Sequence, residues 1–197
     1  MPEGIGVISA NYRMYPNARY PDFIEDAAEA VAWAYQNLKP FPLCRKIFFG
    51  GSSAGGYLSM MLCFDEKYLG KFGIKPTDID GYIHDAGQPT AHFNVLAERG
   101  LDGRRIIVDE SAPLYHIGRA DKYSPMLFIW LDADMQNRPE QLELTVSTLR
   151  HFGSDMDKVD TLLCHGKHNH YLFDNEDGSF DFGRMILPFL KSYGEVE

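Results

Sequence analysis

The sequence predicts an α/β fold, a three-layer sandwich in which a mostly parallel sheet is flanked by helices. Three observations lead there. Apolar runs of strand length recur with helical segments between them. A serine sits in Gly-x-Ser-x-Gly where one such run gives way to a helix. The 197 residues, 45% of them apolar, suffice for one domain (1–197) with a sizeable core and no covalent staples.

Five strands are expected in chain order: Gly4 to Ser9, Lys46 to Phe49, Gly81 to His84, Met126 to Leu131 and Lys158 to Leu163. Between the first two, Tyr20-Pro21-Asp22-Phe23 opens a helix to about Leu38, with Ala27, Ala28, Val31, Ala32 and Tyr35 on one face. A second helix follows the serine from Ala54 to Cys63, where Leu58, Met61 and Leu62 fall at helical spacing. Two more are expected, from Glu140 to His151 and from Phe182 to Lys191. The stretch 92–123 mixes weak helical pattern with turn residues, and reads as an excursion over the active-site side of the strand ends.

Composition excludes several classes of function. A net charge of −9, from 28 acidic against 19 basic residues, argues against a nucleic-acid backbone as partner. Cys44, Cys63 and Cys164 are scattered and odd in number, so no disulfide framework is expected and a reducing cytoplasm is the default. No window approaches the length of a membrane span. Met1-Pro2-Glu3-Gly4 carries no export signal, although a signal preceding Met1 would lie outside the sequence.

The chemistry concentrates at Ser53. In a nucleophile elbow the serine occupies a strained turn, and Gly51 and Gly55 are expected to be glycine because side chains there would meet the neighbouring strand and helix. A phosphate-binding loop, the competing reading, would end in Gly-Lys-Ser/Thr, and no lysine follows. A serine hydroxyl needs a base to accept its proton and an acid to orient that base, in chain order Ser, Asp or Glu, His. Asp132 and Asp134 follow the fourth strand. Asp134, further into the loop, is favoured as the acid, with Asp132 bracing the strand end.

After the fifth strand, Cys164-His165-Gly166-Lys167-His168-Asn169-His170-Tyr171 holds three of the seven histidines. His168 is favoured as the base, His170 is the alternative, and His165 comes third. The same run contains potential metal ligands, but four crowded on one loop would strain a tetrahedral site, so no metal and no other cofactor is expected. The backbone N–H of Ala54 is the expected oxyanion donor. From Met1 to Arg45 there is no glycine cluster to supply a second.

Together these segments resemble the α/β-hydrolase superfamily, and within it the esterase and lipase group that includes hormone-sensitive-lipase-like and acetyl-esterase-like enzymes. Val7-Ile8-Ser9-Ala10-Asn11-Tyr12-Arg13 is similar to that group's strand ending in Asn/Asp-Tyr-Arg, and Tyr20-Pro21 through Asp26 to its Pro-led helix with an internal aspartate. Gly51-Ser52-Ser53-Ala54-Gly55-Gly56 resembles its elbow, Ser111-Ala112-Pro113-Leu114 its Ser-Pro turn, and Asp132-Ala133-Asp134 its acid loop. The resemblance implies Ser53 as nucleophile, Asp134 as acid and His168 as base, acting on a small-molecule carboxylic ester with a small acyl group such as acetyl.

Two departures qualify what it implies. In that group a His-Gly-Gly-Gly type loop and earlier strands precede the Asn-Tyr-Arg strand, and this sequence begins after that point. The chain is therefore expected to correspond to the C-terminal part of such a hydrolase, or to a shortened form whose exposed sheet edge a second protomer covers. The other departure is Asn169-His170 after His168 in place of Gly-Phe, which leaves His170 open as the base. The alternative to an esterase is a truncated scaffold, weakly active or non-catalytic, that binds a ligand or partner.

Overall fold

The computed structural model describes residues 4–172 and 181–194. Four parallel strands, β1 (Phe48–Ser52), β2 (Gly81–Asp85), β3 (Met126–Ala133) and β4 (Val159–Lys167), lie side by side in sequence order. Helix α1 (Asp22–Leu38) precedes them, and α2 (Ala54–Phe64) with the short α3 (Glu66–Gly70) links β1 to β2. The single turns α4 (Phe93–Glu98) and α5 (Pro113–His116) lie between β2 and β3, α6 (Arg138–His151) between β3 and β4, and α7 (Asp181–Gly194) follows.

Each helix forms for local reasons and is held by the sheet. Pro21 stands just ahead of α1, Asp22 and Glu25 occupy its positive end, and Phe23, Ile24, Ala27, Ala28, Val31 and Ala32 are buried. The strands separate two cores by their alternation. Tyr82, Met126, Phe128 and Trp130 face a large cluster with α1, α2 and α6, whereas Ile83, Leu127, Ile129 and Leu131 pack with Phe189 of α7 and with Tyr171. Helices therefore cover both faces of a parallel sheet, as the alternation of apolar runs requires.

The structure departs from expectation in two places. Residues 4–9 form no strand: Val7 and Ile8 are 70% and 57% exposed, and the segment joins no ladder among the described residues. Strand length and apolarity alone do not make a strand; the segment's main chain must also bond to a neighbouring one. The chain is instead tied down at Arg13, whose main-chain N–H and guanidinium both bind the Asp26 carboxylate of α1 at 2.7 to 3.2 Å. In addition, the strands run further than their apolar runs. β4 continues through Cys164, His165, Gly166 and Lys167, which read as a loop, because one extra residue is accommodated where the register moves from Leu131 opposite Cys164 to Ala133 opposite Lys167.

The stretch 92–123 is largely irregular apart from α4 and α5. Its hold on the rest is polar and specific. Tyr20 N–H donates to Glu98 at 2.9 Å, Tyr20 hydroxyl to the Glu110 carbonyl at 3.1 Å, and Tyr57 hydroxyl to the Ser111 carbonyl at 2.7 Å.

Candidate active site

β1 delivers the chain into a tight turn at Ser53, which has φ +55° and ψ −110°. Such a conformation is costly for a residue with a side chain, and the surroundings hold it in place. Ser53 N–H donates to the Asp85 carbonyl at the end of β2 (2.8 Å), and the Ser53 carbonyl accepts from Tyr57 N–H (3.0 Å) as α2 begins. The hydroxyl is thereby lifted to the positive end of α2. Ala54 N–H belongs to the first turn of that helix, where no intrahelical acceptor exists, so it is free to face a developing negative charge beside Ser53.

The glycines around the turn divide differently from expectation. A Cβ on Gly51 would come within 2.6 to 2.8 Å of the Gly55 backbone, so Gly51 is constrained as anticipated. At Gly55 the clash does not arise, because a Cβ there points into open space. Gly56 carries the second constraint: its Cβ would lie 2.5 Å from the Asp85 carbonyl oxygen and 2.8 Å from Gly87 Cα. The close approach of α2 to the end of β2 is therefore made by the Gly56–Gly87 pair. Gly56→Ala is expected to destabilise the fold by about 1 to 3 kcal/mol in urea unfolding, whereas Gly55→Ala is neutral or stabilising.

Strands β3 and β4 bring the other two groups to the serine. His168 Nε2 lies 2.9 Å from Ser53 Oγ, and its Nδ1 lies 2.5 Å from Asp134 Oδ1. The Asp134 side chain is fully buried, and its Oδ1 also accepts from Met135 N–H at 2.6 Å. Asp132 does something else: it binds His165 Nδ1 at 2.6 Å and Gly166 N–H at 2.9 Å, across the extra residue in β4. His170 turns away, its Nδ1 on the Lys167 carbonyl at 3.1 Å and its ring against Gly166. Of the histidines in this run, His168 alone meets Ser53. Among the described residues no group of three or more His, Cys, Asp or Glu side chains is arranged to hold a metal ion.

Several residues at the site carried no motif. Arg138, in the first turn of α6, is only 5% exposed and donates from Nη1 to the Ala86 carbonyl at 2.6 Å; burial lowers its pKa, against the pull of Asp134. Nothing in the sequence distinguishes this arginine from a surface one. Asp85 could have been noticed as a carboxylate ending a buried run, Gly81-Tyr82-Ile83-His84-Asp85. It is fully buried, and its carboxylate accepts from Tyr171 hydroxyl. Burial pushes Asp85 up to about 6, against the pull of the Ser52 and Tyr171 hydroxyls and of His168.

That raised value has a consequence for stability. The folded chain binds the Asp85 proton more tightly than the unfolded chain, whose aspartates titrate near pH 4. The ionised group's cost to folding is thus fully present above about pH 6 and gone below about pH 4. Asp85→Asn is expected to melt higher than the wild type at pH 8, with the gap closing as pH falls through that window.

Beside Ala54 a small cavity of about 40 Å3 is lined by Tyr12 to Tyr15, Phe23, Tyr57, Leu58, His92 and Asn94. It has room for a few water molecules or a short chain of carbons. Tyr57 is the aromatic nearest the elbow in this lining, and Phe93 leans on the His92 ring from outside it, with centroids 4.2 Å apart. Burial, with the charge of Arg138 adding to it, lowers His92 to about 4, so this wall of the cavity carries a neutral imidazole at neutral pH.

Comparison with known proteins finds others of this fold. Residues 3–83 match a family described by its alpha/beta hydrolase fold. The esterase LipC of Mycobacterium tuberculosis is 28% identical over 167 residues, which is 75% of this chain and 41% of that protein. The carboxylic ester hydrolase LipN of the same organism is 32% identical over 77 residues, 38% of this chain and 20% of that one. The chain thus spans well under half the length of either curated relative. Among solved structures, the apo form of esterase 2 of Thermogutta terrifontis superposes with a TM-score of 0.69 at 19% identity, covering 95% of this chain and 71% of that one. Its propionate-bound form gives 0.66 at 20% identity, covering 93% and 70%.

Proposed function

We propose that this chain is a member of the esterase and lipase group of the α/β-hydrolase superfamily and a serine hydrolase of carboxylic esters, a reading its similarity to known esterases supports. The observation that carries the reading is the unbroken line Ser53 Oγ, His168 Nε2, His168 Nδ1, Asp134 Oδ1, with contacts of 2.9 and 2.5 Å. His168 takes the proton as Ser53 Oγ bonds to the acyl carbon, and the carbonyl oxygen gathers negative charge towards Ala54 N–H. Collapse of that intermediate expels the alcohol, to which His168 returns the proton, leaving an acyl-serine. Water then attacks the acyl carbon with His168 again as base, the acid departs, and Ser53 is restored. Asp134 keeps the imidazole in the tautomer with hydrogen on Nδ1, and its charge steadies the imidazolium.

The substrate we assign is a small ester with a short acyl group such as acetyl, and the cavity beside Ala54 supports this by its size. Thermogutta terrifontis esterase 2, of similar fold, has been seen with propionate and with butyrate bound. We take residues 1–197 as one catalytic unit, working in the cytoplasm without a cofactor. No helix among the described residues is long and apolar enough to cross a membrane. The test is a fluorophosphonate probe on the folded protein: Ser53 is expected to be labelled, and an unlabelled Ser53 sinks the reading.

One observation favours a second reading, that of a weakly active scaffold. Ala54 N–H is the single oxyanion donor that the residues around Ser53 identify, and loss of one donor costs about 10²- to 10³-fold in kcat. Turnover of p-nitrophenyl acetate equal to that of Ser53→Ala would decide for the scaffold.

A further inference from the structure

Asp85 and Tyr171 have no part in the mechanism above, yet they stand at its centre. Asp85 ends β2, and its main-chain carbonyl is the acceptor that fixes Ser53 N–H at 2.8 Å. Its side chain leaves the sheet on the same face as Ile83, beneath the turn that follows β4. There the buried Tyr171 hydroxyl donates to Asp85 Oδ1. Tyr171 lies three residues beyond His168. Between them Asn169, at φ +59°, accepts from the Ser52 hydroxyl at 2.9 Å.

The turn bearing His168 is therefore tied at two points, to the last residue of β1 and the last residue of β2. Those are the residues that also present Ser53. Left on β4 alone, His168 would depend on an edge strand whose residues are in large part exposed. The two ties reference the imidazole to the same two strand ends as the nucleophile. Positioning errors of about 1 Å in such a pair are enough to cost on the order of 10²-fold in rate.

We propose that Asp85 is a positioning residue for the general base: through the Tyr171 hydroxyl it fixes the turn that carries His168. The inference rests on the Ser53, His168, Asp134 reading. The groups facing Asp85 are the Ser52 hydroxyl from β1, Cys164 from β4, His168 and Tyr171 from the turn, and Asp134 from the end of β3. Only Asp134 opposes it with like charge, and the imidazolium formed during reaction lies within the influence of both carboxylates.

Three variants separate the tie from the charge. Tyr171→Phe breaks the tie and leaves the carboxylate; Asp85→Asn keeps an acceptor for Tyr171 and removes the charge. With p-nitrophenyl acetate, Tyr171→Phe is expected to lower kcat about 10- to 100-fold with KM within about twofold. Asp85→Asn, which keeps the acceptor, is expected to hold kcat within about threefold of the wild type, whereas Asp85→Ala, which removes it, is expected to lose about as much as Tyr171→Phe. A merely structural Asp85 would not lower kcat while leaving KM in place. Should Tyr171→Phe not fold, Ser52→Ala cuts the other tie and is expected to lower kcat about 3- to 10-fold.

Wild-type kcat in Tyr171→Phe or Asp85→Ala, or an equal loss in Asp85→Asn and Asp85→Ala, overturns the proposal. Fluorophosphonate labelling of the wild type is run alongside. An unlabelled wild type rejects the hydrolase reading itself, whereas a labelled wild type with unaffected variants rejects this inference alone.

Discussion

Replacing Ser53 by alanine is expected to lower turnover of p-nitrophenyl acetate by on the order of 10⁴- to 10⁶-fold, to the level of adventitious hydrolysis. The size follows from what the substitution removes. Without Oγ there is no acyl-enzyme, so His168 can act only as a base for water, and the line of contacts through His168 to Asp134 has nothing to activate. Alanine is smaller than serine and leaves the turn's main-chain bonds to Asp85 and Tyr57 intact, so the fold should be kept. Melting temperature close to wild type together with lost turnover is the expected pair of results. Retained turnover would place the nucleophile elsewhere.

Asp134→Asn should cost about 10⁴-fold in kcat with little change in KM. The carboxylate accepts a hydrogen bond from His168 Nδ1–H, and an amide in its place can present N–H to Nδ1 instead, moving the ring hydrogen to Nε2, where it faces Ser53 and blocks proton transfer. The contrast with Asp132→Asn makes the experiment specific. Asp132 binds His165 and Gly166 at an exposed bend of β4, so its loss should change kcat by less than about tenfold. Equal losses in the two variants would mean that the acid has been wrongly assigned.

Much of this site could be read from residues because its chemistry is local. The elbow needs a strand, a strained serine and a helix in immediate succession, and Ile47 to Cys63 encodes all three. Asp134 and His168 lie just after strands whose apolar runs are unmistakable, so chain order alone narrowed the choice. What escaped depends on pairs distant in sequence. Tyr171 and Asp85 are 86 positions apart, and Arg138 reaches Ala86 across 52. Gly56 rather than Gly55 is constrained because Gly87 comes from a different strand end. The run Gly4 to Ser9 misled for the opposite reason: its pattern is that of a strand, but a pattern does not make the ladder bonds that pair it.

The strand order β1-β2-β3-β4 means that the site is built from neighbours of unequal rigidity. β2 is buried along its whole length, whereas β4 is an edge strand, as β1 is, and the more exposed of the two, and the base hangs from its end. Local opening of a protein starts where few apolar contacts oppose it, and its free energy can be far below that of global unfolding. Fraying of β4 would disarm the nucleophile while the elbow and both inner strands stayed native. Heat should therefore silence the chain before it melts it, and recovery on cooling should be as fast as one strand can re-pair.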